Sequence, residues 1–164
     1  MTGTANRNPV LTGGCQCGAV RYALYAAPFA VNVCHCRMCQ KAGGSPYMTL
    51  ISNQAANFAW TRGTPGTFAS STLANRDFCR DCGTPLTYRG PSGRVSVSYG
   101  SLDEPARVTP SKQYGMEGRM TWIDTLAAIP GVRTEDDMTP EEAAAIVTHQ
   151  HPDHDTAEGW NRKG

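Results

Sequence analysis

Seven cysteines occur at intervals that suit metal binding. They form the motifs Cys15-x-Cys17, Cys34-x-Cys36-x-x-Cys39 and Cys79-x-x-Cys82. Closely spaced thiols let one short loop supply two ligands to the same ion, and thiolate is a preferred zinc ligand. An odd number of cysteines cannot pair completely as disulfides within one chain. The spacing therefore predicts zinc coordination.

The count of seven predicts two different kinds of metal site. Two closed tetrahedral sites need eight thiolates, whereas seven divide naturally into four and three. Four thiolates close a structural zinc site, and three leave one position open for water or for a substrate thiol. An alternative for the second site is a purely structural zinc closed by His35 or another side chain.

Spacing alone leaves the grouping of the cysteines open. Cys79 and Cys82 are typical of a tight turn, and their partners are Cys15 and Cys17 or, in a zinc-ribbon-like site, Cys36 and Cys39. Residues two apart in an extended strand point to the same side, and Cys39 follows Cys36 by one turn. This favours a four-cysteine set (Cys15, Cys17, Cys79 and Cys82) and a separate cysteine trio (Cys34, Cys36 and Cys39).

Residues beside the two groups are candidates for secondary roles. His35 lies between two trio cysteines, so in a strand it points away from them and is expected to pack or form hydrogen bonds. Tyr47, Gly43 and Gly44 are expected to line the open position. Candidate cations for binding the carboxylates of a substrate are Arg37 and Lys41 beside the trio, and Arg21, Arg76 and Arg80 beside the four-cysteine set.

The elements that must position these residues are short strands separated by Gly- and Pro-containing turns. Alternating apolar residues predict strands over residues 17–25, 29–36, 47–51, 57–61, 68–73, 85–88 and 94–99, with a helical turn over 37–42. Such a series is typical of a mainly antiparallel β domain. We place this domain at residues 10–130, preceded by a loose polar leader over residues 1–12.

The segment 131–164 is predicted to be a helix and a polar tail. Thr139, Pro140 and Glu142 match the start of a capped helix that continues to Val147. The tail contains His149, His151 and His154 in an H-x-H-x-D-H motif known from metallo-β-lactamase-type hydrolases. Only ten residues follow the motif, too few to supply the rest of that fold, so we expect a solvated tail.

Composition excludes several classes of function. The formal net charge is +1 over 164 residues, which gives no electrostatic reason to bind nucleic acid. The longest apolar run, residues 22–31, has ten residues and includes Pro28, whereas a membrane span needs roughly 18. The N-terminus has no apolar signal core, so we expect a cytoplasmic protein without a membrane partner.

Four ordered segments resemble the glutathione-dependent formaldehyde-activating enzyme family, which also includes centromere protein V. The segments are 14–21, 34–41, 78–86 and 100–103, within a resemblance that covers about residues 12–125. The resemblance implies a β-tent fold with two zinc ions per chain. It also implies that the four-cysteine set holds the structural zinc and that the trio holds the catalytic zinc.

The resemblance further implies a carbon–sulfur lyase activity. The named activity of the family joins the thiol of glutathione to formaldehyde, and a three-thiolate zinc with an open position could bind and deprotonate such a thiol. A small aldehyde would be the electrophile. The alternative is a non-catalytic zinc module that binds a partner protein or a thiol metabolite.

Overall fold

Short strands joined by tight turns make up most of the chain. In the computed structural model, which describes residues 7–156 and 160, these strands are β1 Leu11–Gly14, β2 Arg21–Leu24, β3 Ala30–Cys34, β4 Met48–Gln54, β5 Phe58–Arg62, β6 Gly66–Ser71, β7 Ala74–Phe78, β8 Pro85–Arg89, β9 Arg94–Ser98 and β10 Lys112–Tyr114. Two short helices, α1 Arg37–Gly43 and α2 Pro140–Ala145, accompany them. The predicted mainly β fold class is confirmed.

The strands form two sheets. β1, β2 and β5 make a three-stranded antiparallel sheet, and seven strands in the order β10-β3-β4-β9-β8-β7-β6 make the larger one. Neighbours in the larger sheet are antiparallel except for the edge pair β10 and β3, which is parallel. A parallel pair needs a long connection, and here six strands separate the two partners along the chain.

One apolar core joins the two sheets. Tyr22 and Leu24 of the small sheet and Ile51, Leu86 and Val97 of the large sheet are fully buried. Burying a side chain of this size stabilises the fold by about 1.5–3 kcal/mol. Three members of the four-cysteine set belong to the same buried cluster, so this set lies inside the core.

Some predicted boundaries are wrong. The expected loose leader is wrong at Leu11 and Thr12, which begin β1, and residues 1–6 lie outside the described part of the chain. The strand predicted over residues 17–25 begins only at Arg21, because Gly18 adopts a φ of +73° and turns the chain. The pattern also misses β7, whose central residues are polar, and β10, whose residues are exposed.

The predicted C-terminal helix forms, and its cap is the predicted one. The Thr139 side chain accepts a hydrogen bond from the Glu142 backbone N–H, and the Glu142 carboxylate accepts one from the Thr139 N–H. The helix ends at Ala145 rather than Val147, since β-branched Ile146 favours the extended conformation that it adopts here. No helix within residues 7–156 is long and apolar enough to cross a membrane.

The expected solvated tail is wrong for the segment around His151. The His151 side chain is 3% exposed, its backbone N–H donates to the Gln16 carbonyl at 2.7 Å, and its ring packs edge-on against Trp160. Arg21 donates to the Asp155 carboxylate at 2.6 Å, which ties the tail to β2. His149 and His154 remain exposed, and the three histidines do not form a ligand cluster.

The buried carboxylate of Asp77 links three strands of the large sheet. It accepts hydrogen bonds from Thr67 on β6 at 2.7 Å, from Thr87 on β8, and from Arg89 on β8 at 2.7 Å. Burial acts to raise the pKa of Asp77, but the hydrogen bonds from Arg89, Thr87 and Thr67 hold it below its ordinary value. The charged form is therefore the form that stabilises the fold.

We expect Asp77→Ala to lower the free energy of unfolding by about 3 kcal/mol, because it leaves Arg89 and two hydroxyls without their shared acceptor. Urea unfolding at pH 7 measures this change. The contribution of Asp77 is present above its ordinary pKa of about 4 and is lost as the pH falls through the lowered value. The variant should therefore lose less stability than the parent protein on acidification.

The matched control is Asp124→Ala, which removes the aspartate of an exposed ion pair with Arg119. Solvent screens such pairs, so the control should leave the urea midpoint unchanged. Equal losses in the two variants would contradict the structural role of Asp77.

Docking of the tail should weaken on acidification. Burial and the nearby Arg21 charge lower the pKa of His151, so the docked segment favours the neutral imidazole. The free energy of docking is then fully present above the ordinary histidine pKa of about 6.5 and declines as the pH falls below that value. The fluorescence of Trp160, obtained by subtracting a Trp160→Phe variant, should change between pH 7.5 and 5. The same titration on His151→Gln should be flat, and a sloping one would assign the change to another group.

Candidate functional site

The four-cysteine set is assembled from two distant turns. Cys15 and Cys17 lie in the turn between β1 and β2, and Cys79 and Cys82 lie in the turn between β7 and β8. The Cys17 sulfur is 3.6 Å from the Cys15 sulfur and 3.7 Å from the Cys79 sulfur, and all four sulfurs lie within 4.8 Å of one another. The zinc-ribbon-like grouping is therefore wrong.

Backbone hydrogen bonds shape both turns around the sulfurs. The Gly83 N–H donates to the Cys79 carbonyl at 3.0 Å, and Gly83 has a φ of +77°, which only glycine adopts readily. In the other turn the Val20 N–H donates to the Cys15 sulfur at 3.3 Å. These contacts hold the thiols in place.

Burial and hydrogen bonding act differently on the thiols of this set. Burial raises the pKa of Cys15 and Cys17. Burial also acts to raise the pKa of Cys82, but hydrogen bonds from the Thr84 hydroxyl and backbone N–H lower it to about 6. One thiol of the set is thus prepared to be a thiolate at neutral pH.

The cysteine trio is local in sequence and lies at the junction of β3 and α1. Cys34 is the last residue of β3, Cys36 is the N-cap residue of α1, and Cys39 lies in the first turn of that helix. The Cys34 and Cys36 sulfurs are 3.5 Å apart, and all three sulfurs lie within 4.8 Å of one another. Cys34 and Cys36 are therefore brought together by a strand-to-helix turn rather than by one strand.

The helix N-terminus favours a thiolate at Cys36. Burial acts to raise the pKa of this thiol, but hydrogen bonds from the backbone N–H groups of Cys39 and Met38 and from the neighbouring thiols lower it. Burial raises the pKa of Cys34 to about 12. The trio, like the four-cysteine set, thus contains both a thiol of lowered pKa and a thiol of raised pKa.

The loop after β10 supports the trio from the outside. The His35 N–H donates to the Tyr114 carbonyl at 2.9 Å, and the Gln40 side chain bridges the carbonyls of His35 and Gly118. Gly115 has a φ of +64° and lies so close that a Cβ atom would be 2.5 Å from the Cys36 nitrogen. Only glycine fits there.

His35 packs and forms hydrogen bonds, as predicted, and is not part of the sulfur group. Its ring is 1% exposed, its Nε2 pairs with the Gln113 Oε1 at 2.8 Å, and it packs edge-on against Tyr47. Tyr47 and Gly43 line a different cavity, so their predicted place at the open position is wrong. Gly44 is absent from the lining of the trio cavity as well.

A cavity of about 530 Å³ opens onto the cysteine trio. Its walls are largely apolar and aromatic, with Phe29, Leu50, Tyr88 and Tyr114 among the lining residues. It also contains the guanidinium groups of Arg76 and Arg94, and none of the described lining residues is acidic. No local sequence pattern predicts this cavity, because its walls come from six strands that are far apart along the chain.

The candidate cations lie in unexpected places. Arg76 is 8% exposed and donates to the Cys39 sulfur at 3.2 Å, so its predicted place beside the four-cysteine set is wrong. Arg21 is buried and paired with Asp103 at 2.6 Å, which leaves it structural. The remaining candidate cations are exposed to solvent: Arg37, Lys41 and Arg80.

Both sulfur groups fit a tetrahedral zinc ion. Four sulfurs at about 2.3 Å from zinc lie roughly 3.8 Å from one another, close to the separations of 3.5–3.7 Å found in both groups. The four-cysteine set supplies a complete donor shell inside the core. The trio supplies three donors and leaves the fourth direction to its cavity.

The chain matches proteins described as lyases and formaldehyde-activating enzymes. It is 30% identical over 86 residues to a protein of Schizosaccharomyces pombe described as an uncharacterized lyase, and 42% identical over 48 residues to a putative glutathione-dependent formaldehyde-activating enzyme of Halomonas elongata. These stretches cover 52% and 28% of this chain, and 62% and 31% of the two relatives. The chain therefore spans less than two thirds of either relative.

A solved structure shows the fold of the chain, and a family model shows its family. A crystal structure of a Rhodobacter sphaeroides protein superposes with a TM-score of 0.51 at 22% identity, covering 62% of this chain and 98% of that one, which shows a shared fold. The model of the family described as glutathione-dependent formaldehyde-activating enzyme matches residues 10–117, about two thirds of the chain and all seven cysteines. The chain is a member of the glutathione-dependent formaldehyde-activating enzyme family.

Proposed function

We propose that this protein is a zinc-dependent carbon–sulfur lyase that adds a thiol such as glutathione to a small aldehyde such as formaldehyde. The observation that carries the proposal is the contrast between the two sulfur groups. In the four-cysteine set, Cys15, Cys17 and Cys79 are buried in the core and Cys82 packs against it, whereas all three trio cysteines line a cavity of about 530 Å³. A structural role suits the first group and a catalytic role suits the second.

The residues Cys34, Cys36 and Cys39 would hold the catalytic zinc, and Cys15, Cys17, Cys79 and Cys82 the structural one. Zinc at the trio would supply Lewis acidity, which lowers the pKa of a thiol and polarises an aldehyde oxygen. The protein positions the substrates: the apolar walls of the cavity pack against their apolar parts, and the Arg94 guanidinium attracts a substrate carboxylate.

The proposed reaction balances without a redox partner. The thiol sulfur forms a bond to the aldehyde carbon, the carbon–oxygen π bond breaks, and the oxygen takes up the proton that the thiol has released. The reverse direction breaks the carbon–sulfur bond, as in a lyase. None of the described lining residues is a carboxylate or an imidazole, so proton exchange falls to water or to the Tyr88 and Tyr114 hydroxyls.

Glutathione fits the charge of the cavity. It carries two carboxylates, whereas the described lining has two guanidinium groups and no acidic side chain. The Arg94 guanidinium lies 5.2 Å from the centre of the Phe29 ring at one wall, and the Arg76 guanidinium lies 5.0 Å from that of Tyr88. A thiol with an anionic tail can thus place its sulfur at the trio and its tail at a cation.

Elemental analysis should find two zinc ions per chain in protein purified under reducing conditions without chelator. We expect Cys36→Ser to reduce this to about one and to leave the thermal midpoint nearly unchanged, since the trio lies outside the main core cluster. We expect Cys82→Ser to reduce the zinc content too, but to lower the thermal midpoint strongly, because its site joins two core turns. Equal midpoints for the two variants would contradict the division of roles.

Turnover should depend on the trio. We expect the Cys36→Ser variant to show no acceleration of exchange between glutathione, formaldehyde and S-hydroxymethylglutathione above the uncatalysed rate, as followed by NMR exchange spectroscopy. Lys41→Ala is the matched control, because it alters an exposed residue of the same helix and should keep full activity. Full turnover by Cys36→Ser would overturn the catalytic role. Thiol binding without turnover in the parent protein would favour the non-catalytic module instead.

A further inference from the structure

Arg76 is a buried cation in direct contact with the cysteine trio. It lies on β7 with 8% of its surface exposed, and its Nη2 donates to the Cys39 sulfur at 3.2 Å. Its Nε donates to the Ser70 hydroxyl at 3.1 Å, its Nη1 lies 3.6 Å from the Met48 sulfur, and its plane lies over the Tyr88 ring. The guanidinium is thus fixed from several sides.

No carboxylate compensates the charge of Arg76 among residues 7–156 and 160. Its recorded partners are a hydroxyl, two sulfurs and an aromatic ring. The other buried arginine, Arg21, instead makes ion pairs with Asp103 and Asp155. An unpaired buried charge is costly, and an arginine cannot lose its proton to escape the cost. The counter-charge of Arg76 must therefore come from the trio and from what binds there.

The charges at the trio balance only when Arg76 is counted. Three thiolates and one zinc ion carry a net charge of −1, and Arg76 brings the sum to zero. Binding of a fourth thiolate then gives a net charge of −1, whereas without Arg76 the net charge would be −2. Adding an anion to a neutral group in a partly desolvated cavity is far easier than adding it to an anionic one.

We infer that Arg76 is a positioning residue whose charge allows the cysteine trio to accept an anionic sulfur as its fourth ligand. The inference rests on the proposed function, because it concerns thiol binding at the same site. When the thiol binds, its S–H proton passes to solvent and its sulfur becomes the counter-charge of Arg76. The role differs from anchoring a substrate carboxylate, which we assign to Arg94, whose guanidinium lies over the Phe29 ring in the same cavity.

Three small thiols with different tails separate these two roles. We use 3-mercaptopropionate, 2-mercaptoethanol and cysteamine, whose tails are anionic, neutral and cationic. Binding to the zinc-loaded protein is measured by calorimetry at one pH and salt concentration, with zinc per chain determined for each sample. The variants are Arg76→Met, which matches the length and the apolar and sulfur surroundings, Arg76→Lys, which keeps the charge, and Arg94→Met, the matched control.

We expect Arg76→Met to weaken all three thiols by a similar factor of at least about 30-fold, the size expected for removing a unit charge roughly 8 Å from the bound sulfur at an effective dielectric constant near 20. Arg76→Lys should retain most of the affinity. Arg94→Met should weaken only 3-mercaptopropionate. Loss of one zinc from Arg76→Met but not from Arg76→Lys has the same electrostatic cause and would also support the inference.

Three results would overturn the inference. These are unchanged affinities in Arg76→Met, a loss confined to 3-mercaptopropionate, and Arg76→Lys binding as weakly as Arg76→Met. Failure of the proposed function gives a different pattern. If the parent protein with two zinc ions binds no thiol, both proposals fail, whereas thiol binding with the expected Arg76 pattern but no turnover removes only the lyase activity.

Discussion

Close packing of thiols is the physical constraint on which the rest of this structure depends. Sulfurs within 4.8 Å of one another cannot all ionise without a cation, and burial makes ionisation harder still, as the raised pKa values of Cys15 and Cys34 show. Each group nevertheless contains one thiol with a lowered pKa, Cys82 and Cys36, where a turn or a helix start directs N–H groups at the sulfur. Zinc satisfies this arrangement, since it needs thiolates and tolerates a tetrahedral shell of sulfurs.

The two sulfur groups differ in what they hold together. The four-cysteine set joins turns that are more than sixty residues apart and lies in the apolar core between the sheets, so losing it removes a link between distant parts of the chain. The trio spans six residues and depends on a local turn, on α1 and on the loop after β10. The trio therefore depends on local contacts rather than on the core between the sheets.

Two buried arginines differ in the partners of their charge: one forms ion pairs that stabilise the fold, and the other contacts the cysteine trio. Arg21 makes ion pairs with Asp103 and Asp155 and secures β2 to two later segments, including the C-terminal tail. Arg76 has no carboxylate partner in the described residues and directs its guanidinium at Cys39 and the open cavity. An arginine thus completes a structural ion-pair network at position 21, whereas at position 76 its charge faces the trio.

The residues that could bind metal can be identified from the amino-acid sequence alone. Seven cysteines, their spacing and their division into four and three follow from counting ligands, and the mainly β class and the Thr139 helix cap follow from local patterns. The folded chain was needed to show that Arg76 contacts the trio, that the trio lines a cavity shared by six strands, and that His151 is buried against β2. Those features depend on strand order and on contacts between residues that are far apart along the chain, and a local pattern of residue types carries no information about either.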